Sequence, residues 1–266
     1  SDRVTNATIY AGKGNDNITM MYNADNAFID LGEGDDNFFG SGKNATIFGG
    51  AGNDYIRADG NYYNYIDAGD GNNNIVNGSI GGTITAGAGN DTIEITDSII
   101  GNSASSLSSV SIDAGAGNDI ITIDPTNATT NLVFDKVKID INANDGNDVI
   151  TIAKDTSTSS SYLTQIKDGA TLNIKGGTVT TDGSHANGVF AYSNGTINIT
   201  DTTIKTSSNN SGAVMVTGGG TLTANDVIAE TEGNSSAPIR SDRGGGTLTV
   251  NGGTYTSHGT GSPVIY

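Results

Sequence analysis

The side chains best suited to chemistry in this chain are aspartates that recur behind paired glycines. The pattern I-x-x-G-x-G-N-D-x-I occurs seven times, with drift, in the first 150 residues. Its Asp position falls at Asp16, Asp36, Asp54, Asn73, Asp91, Asp119 and Asp148, in steps of 20, 18, 19, 18, 28 and 29 residues. The glycine pairs are Gly12 and Gly14, Gly32 and Gly34, Gly50 and Gly52, Gly69 and Gly71, Gly87 and Gly89, and Gly115 and Gly117. The last copy reads Asn144-Asp145-Gly146-Asn147-Asp148. Carboxylates are hard oxygen donors, and glycine frees the backbone to turn carbonyl oxygens inward. Together they fit a hard cation that takes about six to eight oxygens. One turn cannot fill that shell, whereas two stacked turns can. Further acids lie close by: Asp30, Asp67 and Asp113 directly follow a core isoleucine, and Glu33, Asp35, Asp70 and Asp145 lie inside the turns. The alternative for the same residues is a tight turn held only by Asx hydrogen bonds.

Positioning such turns requires regular strands on both sides. Ile9, Ile29, Ile47, Ile66, Ile84, Ile112 and Ile141 stand three residues before the first glycine position. Ile18, Phe38, Ile56, Ile75, Ile93, Ile121 and Ile150 stand two residues after the Asp position. Each repeat therefore reads as strand, glycine turn, strand, with two apolar columns facing a core. Degenerate copies lie between the first five motifs, such as Gly40 to Phe48 (GSGKNATIF). The coil is expected to consist of two half-turns of about nine residues.

From Asp91 onward the coils lengthen, and Asp155 to Asp168 is a polar, Ser-rich transition. A soft boundary there separates residues 1–154 from 155–266, with one continuous solenoid as the other possibility. In the second half Gly169, Gly195, Gly220 and Gly246 open coils 26, 25 and 26 residues apart. Each complete coil holds three short strand signals, as at Thr196 to Ile199, Thr202 to Lys205 and Ala213 to Thr217, which predicts a parallel β-helix. Leu172, Ile197, Leu222 and Leu248 are expected to stack inward, and Thr171, Thr196, Thr221 and Thr247 to form an outward ladder by alternation.

In Ala11 to Ile18 (AGKGNDNI), Leu31 to Phe38 (LGEGDDNF), Gly49 to Ile56 (GGAGNDYI), Ala86 to Ile93 (AGAGNDTI) and Ala114 to Ile121 (AGAGNDII), the chain resembles the repeats-in-toxin (RTX) family. Its G-G-x-G-x-D-x-U-x nonapeptides wind into a calcium-binding β-roll. The resemblance implies several Ca2+ ions sandwiched between consecutive turns in a row along one edge. The chain departs from the family pattern in the first glycine, usually Ala here, in Asn73, and in the seventh turn. Through Gly176-Gly177-Thr178, Ile239 to Gly246 (IRSDRGGG) and Gly252 to Ser257 (GGTYTS), the second half looks like the pectin-lyase-like β-helix proteins, and like repetitive adhesin-like proteins of anaerobic bacteria. That resemblance implies a right-handed parallel β-helix with a surface or carbohydrate-related role. The expected fold is thus all-β: a parallel β-solenoid in which an RTX-like β-roll runs into a parallel β-helix.

Composition narrows the partners. Only 34% of the 266 residues are hydrophobic and 39 are glycine, so the core must be thin and repetitive. A net charge of −17 makes nucleic acid or an anionic membrane surface poor partners and cations natural ones. The absence of cysteine excludes disulfides and thiolate metal sites and fits an exported bacterial protein. No apolar run approaches the roughly 18 residues needed to cross a bilayer. Ser1 opens no signal peptide, and neither end shows a capping helix, so a mature segment of a longer polypeptide is expected.

Other candidates carry less chemistry. Arg240, Asp242 and Arg243 read either as a grip for acidic sugars or as a solvated loop with a local ion pair. His185 and His258 read as loop residues, and Tyr62, Tyr63 and Tyr65 as either a sugar platform or ordinary β-structure. Outward threonines ordering water, as in ice-binding solenoids, are a further possibility. No catalytic residue and no nucleotide site is implied. The expected function is a calcium-stabilised extracellular structural or adhesive segment of a bacterial surface or matrix protein, with a glycan or cell-surface ligand and head-to-tail self-association as possible partners. The alternatives are an acidic-polysaccharide binding module or lyase, and a filament or surface-layer subunit.

Overall fold

The computed structural model describes residues 5–20, 25–59, 63–78, 81–96, 108–123, 132–135, 137–146, 148–152, 164–167, 171–181, 185, 187–242 and 244–266. Isoleucine, valine and threonine at alternate positions favour strands, and the closely spaced glycine and asparagine turns keep them short. Every strand pairs in parallel with its equivalent one coil away, which is the arrangement of a β-solenoid.

Among the described residues three sheets run along the axis. The first has eleven strands, from Thr8–Lys13 to Gly246–Asn251, and the second has eleven, from Asn17–Met20 to Thr254–Ser257. The third has five: Leu132–Asp135, Thr164–Lys167, Val189–Ala191, Val214–Val216 and Ile239–Ser241. It begins ahead of residue 155, and the first two sheets cross that residue without a break. The change from short to long coils is therefore a widening of the cross-section, from two sides to three. Most of the polar stretch from Asp155 to Asp168 lies outside the described residues.

Both sequence columns are stacked as the spacing predicts. Ile9, Ile29, Ile47, Ile66, Ile84, Ile112 and Ile141 lie in direct register and continue into Ile174 and Ile199. Ile18, Phe38, Ile56, Ile75, Ile93, Ile121 and Ile150 continue into Val179 and Ile204. These side chains form one buried cluster running from Ala27 to Ala229, with Ile9, Ile18, Leu248 and Tyr255 half-buried toward the ends. Coils stack about 4.8 Å apart, so each isoleucine packs on its equivalents above and below, and the column is dry along its length.

In the C-terminal coils Leu172, Ile197 and Leu222 are fully buried, and Thr171, Thr196, Thr221 and Thr247 stand in register on the outer face. Buried turns there are closed by hydroxyls and amides. The amide of Ser211 donates to Ser236 Oγ (3.0 Å), that of Ser236 to Ser262 Oγ (2.8 Å), and that of Asn234 to Asn209 Oδ1 (2.9 Å). These turns are electrically neutral and internally satisfied, unlike those of the first half.

Truncating one rung of a stacked column leaves a cavity that rigid neighbours cannot fill. Ile93→Ala is expected to lower unfolding free energy by about 2 to 4 kcal/mol, and Thr196→Ala on the outer face to change it by less than about 0.5 kcal/mol. Denaturant unfolding at saturating calcium measures both.

Candidate metal centre

The glycine turns form one edge of the solenoid, where the first sheet passes into the second. From the second coil on, stacking at the coil spacing leaves no room for side chains at the paired glycines. A Cβ on Gly50 (φ +107°) would lie 1.9 Å from Gly32 O, and one on Gly52 (φ +138°) would lie 2.0 Å from Gly34 O. Two columns of carbonyl oxygens therefore approach the backbone of the following coil, and only glycine permits the contact. In the seventh turn Asn144 takes the first glycine position at φ +59°, a conformation asparagine tolerates better than most residues.

Behind these columns lies a continuous ladder of aspartate side chains with one asparagine, Asn73, among them. The backbone amide of Asp16 donates to Asp36 Oδ1 at 2.7 Å, and that of Asp36 to Asp54 Oδ1 at 2.9 Å. The same contact links Asp54 to Asn73 (2.9 Å), Asn73 to Asp91 (2.7 Å), Asp91 to Asp119 (2.8 Å) and Asp119 to Asp148 (2.8 Å). Asp36, Asp54, Asp91, Asp119 and Asp148 are at most 3% exposed, and Asp16, in the first described coil, is half-buried.

The second oxygen of each carboxylate has no protein partner. Oδ2 of Asp16, Asp36, Asp54, Asp91, Asp119 and Asp148 is buried without a hydrogen bond. An unpaired buried carboxylate oxygen is costly, so a cation is the partner its chemistry asks for. At Gly49 the space for a Cβ is bounded by Ala68 O at 2.3 Å and Asp54 Oδ2 at 2.5 Å, so carboxylate and carbonyl oxygens crowd one small volume. Calcium accepts oxygens at about 2.3 to 2.6 Å, and its charge would satisfy both. The donor set is one carboxylate per turn plus carbonyls. Among the described residues no group of three or more His, Cys, Asp or Glu side chains gathers at one point.

Without a cation these carboxylates sit uneasily. Burial pushes the Asp54 carboxyl up to about 6, against the lowering effect of the Asp36 amide, and the charges of Asp36 and Asp35 add to the rise. Burial likewise pushes Asp91 up to about 6, opposed by the Asn73 amide and assisted by the charge of Asp119. Asp119 is raised as well, first by burial and then by the charge of Asp148.

The asparagines before the aspartates, to which the sequence reading assigned no role, form a second ladder. Amides of Asp35, Asn53, Asn72, Asn90 and Asn118 donate to the side-chain oxygens of Asn15, Asp35, Asn53, Asn72 and Asn90 one coil earlier, at 2.7 to 3.1 Å. It runs opposite in sense to the aspartate ladder, and its signal was the N of the G-N-D motif itself. On the opposite edge of the early coils Asn6, Asn26 and Asn44 share positive φ and link by side-chain hydrogen bonds of 3.3 and 3.2 Å. These amides close the degenerate half-turns, together with Asp25 Oδ1, which accepts from the Lys43 amide at 3.1 Å.

Asp30, Asp67 and Asp113 stand apart from the aspartate ladder. Alternation places them on the outer face of the first sheet, and Asp113 Oδ1 accepts a hydrogen bond from Asn144 Nδ2. Asp145, in the exposed part of its turn, pairs in register with Ala116. On the same outer face Tyr10, Phe28, Phe48 and Tyr65 make a zigzag of rings with centroids 5.6 to 5.9 Å apart. Tyr63 is exposed, and Tyr62 and Arg243 lie outside the described residues. Arg240 Nη2 pairs with Asp242 Oδ2 at 3.1 Å and its guanidinium lies 5.5 Å from the Tyr266 ring centre. His258 faces Glu232 at 3.7 Å in an exposed pair, and His185 is a turn residue with φ +64°.

Residues 30–62, 81–94 and 109–122 match the family model of the RTX calcium-binding nonapeptide repeat, in four copies. The N-terminal half carries RTX calcium-binding repeats. The matched RTX segments contain Asp36, Asp54, Asp91 and Asp119, four of the buried carboxylates. No pectin-lyase-like family matches the C-terminal coils. No curated protein and no solved structure matches the chain.

Two outcomes follow from the RTX geometry. Gly52→Ala places a Cβ against Gly34 O and is expected to cost more than about 2 kcal/mol, read as a lowered denaturation midpoint with calcium present. Calcium-free protein is expected to lose stability as pH rises. The folded carboxyls of Asp54 and Asp91 hold protons up to about 6, whereas the ordinary value is 3.8. The folded chain therefore binds more protons than the unfolded one between these values, so stability falls as pH rises from 3.8 to about 6 and levels off above. Because calcium needs the carboxylate, its affinity is expected to rise over the same interval. Thermal melts of calcium-free protein and calcium titrations across that pH range check both signs.

Proposed function

We propose that this chain is a calcium-stiffened rod, a structural and adhesive segment of a bacterial surface or matrix protein that works outside the cell. The observation that carries this reading is the row of buried aspartates, each with one oxygen tied to the preceding coil and the other unpartnered. Calcium would supply the missing positive charge between coils. This chain's own residues do the rest: glycines bring the carbonyls close, and the isoleucine columns fix the coil spacing. Such sites make sense where calcium is abundant, since extracellular calcium modules work at roughly 10⁻⁴ to 10⁻³ M. The lack of cysteine suits an exported protein that draws its stability from metal. No helix among the described residues is long and apolar enough to cross a membrane.

A structural role also fits the build of the molecule. Two sheets continue in register along the described coils, and solenoid stability adds up over neighbouring coils, giving a stiff body with long regular faces. We assign no catalytic residue, and the C-terminal coils are proposed to be a β-helix of the kind that presents surfaces.

A second reading, binding of acidic polysaccharide, has one specific observation behind it. Arg240 Nε is buried without a hydrogen-bond partner, beside a cleft lined by Asn210, Ser235, Ala237, Gly261, Pro263 and Tyr266. A carboxylate is the group such a nitrogen would bind. Retention on immobilised alginate or polygalacturonate that is lost in Arg240→Ala would favour this reading over a plain rod.

Calcium titration of metal-free protein, followed by circular dichroism and calorimetry, tests the primary reading. The expected result is a gain of β-sheet signal and a higher melting temperature with calcium. A chain that is equally folded and equally stable in chelator, with no calcium bound, would rule the reading out.

A further inference from the structure

Six of the seven turns present a carboxylate to the edge, and the fourth presents an amide. We propose that Asn73 is a metal-free rung, its own side-chain amide standing where a cation stands in the other turns. It divides the row of calcium sites into two blocks, with Asp16, Asp36 and Asp54 on one side and Asp91, Asp119 and Asp148 on the other. The inference rests on the calcium reading of the aspartate turns.

The hydrogen bonds of Asn73 fix which way its amide points. Its Oδ1 accepts from the backbone amide of Asp54 at 2.9 Å, as every aspartate Oδ1 in the ladder does from the coil before it. The Nδ2 group must then occupy the position of the unpaired Oδ2. There it donates to Gly69 O at 3.0 Å, Gly71 O at 3.3 Å and Ala86 O at 3.2 Å. Two of these carbonyls belong to its own turn and the third to the next coil. Asn73 is 2% exposed, and neither of its side-chain polar atoms is left unsatisfied.

The three carbonyls that Asn73 holds have counterparts in the aspartate turns. By register the equivalents beside Asp91 are Gly87 O, Gly89 O and Ala114 O. There Asp91 Oδ2 is buried with no hydrogen-bond donor, and no side-chain amide reaches these carbonyls from the ladder. At Asn73 the amide hydrogens take that place, and the fourth and fifth coils are joined without metal. A cation at this rung would have to displace two N–H groups from their acceptors and would gain no carboxylate from this turn in exchange.

The neutral rung also limits repulsion in the calcium-free chain. It separates Asp54 from Asp91 by two coil spacings, about 9.6 Å, which halves the Coulomb repulsion that charges one spacing apart would feel. A chain with aspartate at every rung would have no such break.

Metal counting on purified full chain, by plasma emission after equilibration in calcium buffer, tests the assignment together with melting in chelator. Asn73→Asp is expected to bind about one more calcium ion per chain than the parent and to melt lower in chelator. Asp91→Asn is the reverse: about one ion fewer, with a higher melting temperature in chelator. If the parent binds calcium but Asn73→Asp binds no more, and Asp91→Asn loses none, the metal-free rung is wrong while the calcium reading stands. A parent that binds no calcium overturns both. If Asn73→Asp does not fold in chelator, its ion count in calcium and the Asp91→Asn pair still decide.

Discussion

Each aspartate of the edge ladder is held by two demands that one coil cannot meet alone. One carboxylate oxygen takes the backbone amide of the preceding coil, and the other turns toward carbonyl oxygens with which it can make no hydrogen bond. The first contact is available in any stacked turn, but the second is a deficit. Burial raises Asp54 and Asp91 to about 6 for this reason, and the RTX match names the ion that removes the deficit. A metal bound there would be part of the stacking interaction itself, and the glycine columns, which let the carbonyls come so close, would be its precondition.

The remaining architecture keeps that edge in register. A parallel coil has no hairpin to set its alignment, so register comes from side chains that recur at the coil repeat. The isoleucine columns supply it on the inside, and the asparagine ladder before the aspartates supplies it on the outside, with the opposite bond direction. A slip of one residue would send isoleucine outward and break both ladders. In the coils after Asp148, hydroxyl and amide contacts such as those of Ser211 and Ser236 take over, and among the described residues the buried turns no longer carry charge.

How much of this could be read from sequence depended on whether one residue sufficed to signal a role. The isoleucine columns were readable because alternation and a constant turn length leave only one stacking solution, and the structure follows them through Ile141 and Ile150. The buried aspartates were readable because carboxylate, glycine and spacing point to one kind of chemistry. Asp30, Asp67 and Asp113 show the limit of that argument: one position after a core isoleucine is the opposite face of the strand. The role of Asn15, Asn53, Asn72 and Asn90 was hidden, since asparagine before aspartate already fits any turn and only the partner one coil away distinguishes a ladder. The third sheet at Leu132–Asp135 was foreshadowed by the coil steps of 28 and 29 residues, but lengthening alone does not say where a new side begins.

The two edges of the early coils differ in kind. One is lined by aspartates, and the other is closed by Asn6, Asn26 and Asn44 through neutral amides. A cation held by the aspartates would therefore brace one margin only. A beam braced along one side and not along the other would answer loss of the brace by curving, so along this part of the solenoid bound calcium would bear on shape as well as strength.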